Sequence, residues 1–259
     1  MSLPTPVQEL IDSSGNSFHA RVARWFVANA WKVTVGPYYM DQSQQKAREL
    51  DLVVEKFWPG TGTFRDGQGG VLTRLFVECK YVLSPAVFWF TSKNISAVEQ
   101  MLCETGPFRI NNTYTRKHHY LSGGDRVAKL FASTNARGQE TEPFYKALNQ
   151  ALNGLVSLRG QVPSLFAQEQ DPSQPMHVMD FPVVICSSFT EVYMADFDGV
   201  DTTEKIRDNF QLEVQYAFVD RAGQPRNELF LIDFVDFDRL PAFADALEQD
   251  ASAARYMLS

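Results

Sequence analysis

The sequence predicts an α/β fold, and three observations carry that reading. Apolar residues recur at helical spacing in Phe18, Val22, Trp25, Phe26 and Ala30, and again in Ile95, Val98, Met101 and Leu102. The stretch 49–55 alternates as a strand does, with Leu50, Leu52 and Val54 on one side and Glu49, Asp51, Val53 and Glu55 on the other. Segments of the two kinds then follow one another along the chain.

Taken in order, a helix over 18–31 leads into a strand at 32–35, which Gly36-Pro37 ends. A polar loop at 41–48 precedes the alternating strand at 49–55. Residues 59–70, rich in Gly and Thr, read as a hairpin loop, so the next strand at 71–80 is expected to run antiparallel beside the first. The aromatic run Phe88-Trp89-Phe90 precedes the second helical pattern; a strand at 127–133 and a helix at 144–158 follow. A polar linker at 168–175 separates these from strands at 183–186, 191–195, 212–218 and 229–235 and a last helix at 240–257. The expected organisation is a core over 1–165 and a C-terminal strand-rich extension over 176–259 packed on it, a separate layer or small subdomain that offers a surface for a homodimer.

At 259 residues and 44% hydrophobic content the chain has the material for a sizeable core. Apolar runs such as 86–90 fall far short of the roughly 20 residues of a membrane helix. The N-terminus shows no basic region followed by an apolar one, so a cytoplasmic location is expected. Cys79, Cys103 and Cys186 are too few and too scattered for a disulfide framework and are expected to be free thiols. The net charge of −7 argues against a protein that coats nucleic acid indiscriminately, because phosphate binding draws on clustered Lys and Arg. The charge is uneven: between Arg109 and Lys146 there are seven basic residues and three acidic ones.

Because strand side chains alternate, Glu78 and Lys80 project from one face and Cys79 from the other. If the strand of Asp51 lies alongside in register, two carboxylates and a lysine converge. Two hard oxygen anions at short range are costly without a cation and are usual ligands of Mg²⁺ or Mn²⁺. A metal that binds a phosphate oxygen and lowers the pKa of bound water answers both difficulties of phosphodiester hydrolysis, and the Lys80 ammonium supplies transition-state charge. The blander reading of an isolated Glu-x-Lys is a surface salt bridge.

The runs Arg48-Glu49-Leu50-Asp51-Leu52-Val53-Val54 and Phe76-Val77-Glu78-Cys79-Lys80-Tyr81 resemble the PD-(D/E)XK nuclease superfamily, in which an Asp on one strand and a Glu-x-Lys on the next form the metal site. Leu50 stands where the Pro of that motif would be, and the order of predicted elements over about 14–158 also fits. The resemblance implies a restriction-endonuclease-like core with a central mixed β-sheet flanked by helices, plus the C-terminal α/β extension. It implies a metal-dependent nuclease acting on DNA in bacterial or phage restriction, repair or defence, with Asp51 and Glu78 as metal ligands and Asp51, Glu78 and Lys80 as reactive residues. RNA is an alternative substrate, and a catalytically inactive module that keeps the fold is the rival reading, which the acidic charge favours. Where many members carry an acid on the first helix this chain has His19, a substitute ligand, a phosphate contact or a helix-surface residue.

Other candidates are accessory. Gln100 and Gln150, on helices after the motif, are placed to turn an amide toward the metal. Glu49 shares the face of Asp51 and suits a salt bridge or a contact to a ligand. Arg116-Lys117-His118-His119 combines bases with a following Tyr and Gly-Gly turn and suits a phosphate backbone, with a solvated loop as the alternative. Adjacent histidines on a strand would point apart, which argues against a zinc site.

Overall fold

The computed structural model describes residues 6, 7, 9, 11, 15–42, 44–60, 70–134, 143–159, 165–166, 176–197, 199, 203–220 and 222–258. The hairpin loop at 61–69 and the linker at 168–175 lie outside the described residues.

Helix α1 (Asn16–Ala28) buries Phe18, Val22 and Phe26 at helical spacing. Strand β1 (Lys32–Val35) follows, and the polar stretch after it forms a hairpin, β2 (Tyr38–Asp41) and β3 (Lys46–Glu49), instead of the loop expected over 41–48. Within it the Asp41 carboxylate accepts from Arg48 Nε at 2.9 Å and from the Gln44 N–H at 3.1 Å, a local closure that polar composition alone disguises as a loop.

Strands β4 (Leu52–Pro59) and β5 (Gly70–Lys80) pair antiparallel, Leu52 opposite Val77 and Pro59 opposite Gly70. β6 (Ala86–Ser92) contains the aromatic run, and α2 (Ile95–Thr105) is capped by Asn94, whose side chain accepts from the Ala97 N–H. Short α3 (His119–Ser122), β7 (Arg126–Ser133) and α4 (Pro143–Leu158) come next. The last third supplies β8 (Met176–Cys186), β9 (Val192–Asp196), β10 (Glu204–Lys205), β11 (Phe210–Val219), β12 (Pro225–Asp236) and α5 (Leu240–Leu258).

Ten of the described strands form one mixed sheet in the order β1-β4-β5-β8-β12-β11-β7-β6-β9-β10. The C-terminal strands are therefore not a separate layer: β8, β12 and β11 stand in the middle of the sheet, between β5 and β7. β5 and β8 are parallel along their whole lengths. Their near-continuous apolar runs suit strands covered on both faces.

One face carries α1, α2 and α5 over a core that includes Val22, Phe26, Leu75, Val77, Ile185 and Leu247. The other carries α4 over Val53, Phe76, Leu152, Val184 and a cluster of phenylalanines. In that cluster the Phe88, Phe210 and Phe234 rings lie 4.8–5.1 Å apart, so Phe88 belongs to the core. Leu50 packs on the α4 face with Val53, whereas Leu52 and Val54 face α1. The chain bends at Asp51, and β4 begins at Leu52, three residues later than the strand expected from 49.

Candidate active site at the ends of β4 and β5

The antiparallel register that pairs Leu52 with Val77 brings Asp51 opposite Glu78. The Asp51 N–H donates to Glu78 Oε1 at 3.4 Å, and the Asp51 carboxylate accepts from the Cys79 N–H at 2.8 Å. Two backbone bonds fix the bend that presents Asp51: Gly36 N–H to Asp51 O at 2.9 Å, and Leu50 N–H to Pro37 O at 3.0 Å. Gly36 has a left-handed φ of 61°, and a Cβ there would come within 2.7 Å of Glu49 Oε1. The left-handed turn between β1 and the approach to β4 thus favours glycine.

Burial pushes the Glu78 carboxyl up to about 9, and the Asp51 charge adds to the effect. Burial also raises Asp51, opposed by the Cys79 N–H and by His19. Lys80 lies on the same face of β5 as Glu78, half-buried; burial and the neighbouring Lys146 lower its ammonium, while Glu78 and Asp51 oppose the change. His19, one residue past the buried Phe18 on α1, places Nε2 3.4 Å from Asp51 Oδ2.

The accessory candidates divide. Gln150 on α4 donates Nε2–H to Glu49 O at 3.1 Å, which ties the helix to the backbone beside Asp51. Glu49 is exposed and accepts from the Tyr38 hydroxyl at 3.1 Å. Gln100 does not turn toward the acids: its amide donates to Glu104 Oε1 at 2.7 Å, one turn along the exposed face of α2. Two residues not singled out from the sequence belong to the site's surroundings. Lys146 acts on both Glu78 and Lys80, and buried Tyr39 is raised by burial and by Glu78. The i,i+4 spacing of Lys146 and Gln150 on α4 was the available signal for the first.

The basic run 116–119 splits as well. Arg116 and Lys117 are exposed, Arg116 at 3.5 Å from Glu99 and Lys117 over the Tyr114 ring. His118 and His119 are buried, which withdraws both from contact with a phosphate backbone. They open a helical turn, not a strand, so their rings stack at 4.9 Å and both meet Asp250 of α5. His119 bridges two carboxylates, Nδ1 to Asp250 and Nε2 to Asp233 at 3.2 Å; Asp233 also accepts from the Tyr120 hydroxyl at 3.2 Å and from Gln211 at 3.3 Å. Burial alone would lower the His119 imidazole, but Asp250 and Asp233 outweigh it and push it up to about 10. Burial lowers His118 to about 3, and its Nδ1 accepts from the Tyr120 N–H. His118, His119 and Asp250 place three potential ligand atoms within 4.8 Å of one another. Their hydrogen bonds make the arrangement a charge network that fastens α5 to α3 and β12.

Among the described residues no helix is long and apolar enough to cross a membrane, and all three cysteines are free. In comparisons with known proteins, no family model, no curated protein and no solved structure matches the chain.

Proposed function

We propose that the chain is a Mg²⁺- or Mn²⁺-dependent nuclease of the PD-(D/E)XK kind that hydrolyses phosphodiester bonds of DNA. The observation that carries the reading is the meeting of Asp51, at the bend just before β4, with Glu78 of β5, and Lys80 on the same face as Glu78. The donor set fits a hard divalent cation. Glu78 is buried and Asp51 partly buried, both are raised by desolvation, and a cation relieves that cost. Asp51 and Glu78 would hold the ion, which when bound supplies Lewis acidity and a water of lowered pKa. Lys80 then offers a partly desolvated ammonium, worth more than one in open water, to the attacking water or to the charge that develops on phosphate. Lys146 adds positive charge on the α4 side. His19 holds an imidazole against Asp51 Oδ2 and orients that carboxylate.

The test is cleavage of supercoiled, linear and single-stranded DNA, with RNA in parallel, in Mg²⁺ and in Mn²⁺. Asp51→Asn and Lys80→Ala are each expected to lower the rate by about 10²–10³-fold. Intact substrates throughout, with no Mg²⁺ or Mn²⁺ binding that depends on Asp51 and Glu78, would overturn the reading in favour of a non-catalytic module.

A further inference from the structure

The large apolar side chains most open to solvent gather at one end of the sheet. Among the described residues they are Leu83 at 76%, Tyr38 at 68% and Val35 at 67% exposure. All three border the acids. Val35 pairs with Leu52, the residue after Asp51. Tyr38 opens β2 directly after Gly36 and Pro37, whose backbones bond Asp51 and Leu50. Leu83 lies three residues past Lys80, and Tyr81, 57% exposed, follows Lys80 directly. On α4 Tyr145, 53% exposed, immediately precedes Lys146. Exposed apolar surface concentrated around polar residues marks a place where a ligand docks.

Tyr38, Tyr81 and Tyr145 belong to three separate segments, and the first two are held in place. The Tyr38 hydroxyl donates to Glu49 Oε2 at 3.1 Å, across the hairpin pair that the two residues form. The Tyr81 ring stands edge-on to buried Phe18 at 6.3 Å, and His19, which follows Phe18, reaches Asp51. A ring anchored on one side and open to water on the other offers its face to a planar group.

Charge decides the form of the polymer that brings such a group. Lys80 and Lys146 are the cations that act on Glu78, and Glu49 adds a further negative charge beside Asp51. The whole chain carries −7. A protein so charged gains little from the sequence-independent pull on phosphates that holds most duplex binders. Its affinity has to come from contacts without charge, and the faces of bases are open to stacking only where the strand is unpaired.

We infer that Tyr38, Tyr81 and Tyr145 form a stacking rim that takes unpaired bases, so that the acidic site receives single-stranded nucleic acid in preference to duplex. The choice of a nucleic acid as ligand rests on the nuclease reading of Asp51, Glu78 and Lys80; the rim adds the form of the substrate.

A labelled single strand of mixed DNA sequence, the same sequence as a duplex and the matching single-stranded RNA are titrated by fluorescence anisotropy in Mg²⁺. The protein is the full chain with Asp51→Asn, which keeps the oligonucleotides intact. The DNA single strand is expected to bind about tenfold tighter than the duplex or more. The tighter of the two single strands identifies the polymer whose bases are held. Tyr38→Ala/Tyr81→Ala/Tyr145→Ala is expected to weaken single-strand binding by about tenfold or more, and the matching triple Phe variant, which keeps the rings, to stay within about twofold. The log–log salt slope is expected to be no steeper than about −3, the value for four phosphate contacts. Duplex binding as tight as that of the single strands, unchanged affinity in the triple Ala variant, or a steeper salt slope sinks the proposal. Cleavage by the native chain is scored separately: single-strand binding without cleavage removes the nuclease reading and keeps the rim, and cleavage with no single-strand preference does the reverse.

Discussion

Asp250 lies within the apolar stripe of α5, beside Leu247, Ala251 and Ala254, where a lone carboxylate would be costly. His119 compensates it, and the two groups depend on each other. Asp250→Ala leaves the His119 cation buried with one partner fewer and is expected to cost about 3–5 kcal/mol in a denaturation experiment. The network also shapes stability against pH. His119 is raised above its unfolded value near 6.5, so its contribution is full below that pH and is lost as pH climbs through about 10. His118 is lowered to about 3, so its buried neutral ring costs more as pH falls below 6.5. The thermal midpoint of the wild type relative to His119→Gln is therefore expected to be largest near or below pH 6.5 and to shrink steadily up to pH 10; a gap that widens with pH would contradict the bridge. Gly36 is a second decisive position. Gly36→Ala forces a left-handed alanine against Glu49 and is expected to cost about 1–3 kcal/mol and to lower any cleavage activity, because the same segment fixes the bend at Asp51.

The residues of the acidic site were legible in the sequence because strand alternation alone puts Glu78 and Lys80 on one face, and a short connection suggests an antiparallel neighbour for Asp51. The histidines were not. What buries them is Asp250, 131 positions away from His119 and on another element, and nothing local to the Arg-Lys-His-His run announces that partner.

At the scale of elements, those with strong periodicity were readable: α1, α2, α4 and α5 each carry a buried stripe at helical spacing, and β4, β5, β7, β11 and β12 carry alternating or continuous apolar runs. Two were not. The β2–β3 hairpin is held by Asp41 and Arg48, side chains that look like loop chemistry, and β6 carries an unbroken aromatic run over 88–90 that does not alternate as a strand does. Its interior place has a measurable consequence. Phe88→Ala removes a ring in contact with Phe144, Phe210 and Phe234 and is expected to cost about 3–5 kcal/mol, read as a lower denaturation midpoint.

At the scale of the whole molecule, strand order was the hidden property, because lateral neighbours in a sheet are chosen by contacts far apart along the chain. The sequence suggested a core over 1–165 with an appendix, whereas β5 and β7 share no pairing and are joined only through β8, β12 and β11. A fragment of residues 1–165 is therefore expected to show no cooperative unfolding transition and to aggregate, whereas a true appendage would leave a stable, soluble remainder. During synthesis the arrangement has a temporal cost. Until residues 176–186 leave the ribosome β5 trails a bare, strongly apolar margin, and until residues 210–236 follow, the strands around β5 and the pair β6–β7 remain two unlinked halves. A nascent chain in that condition calls for holding by a chaperone, and slow translation of its final third would lengthen the interval of risk.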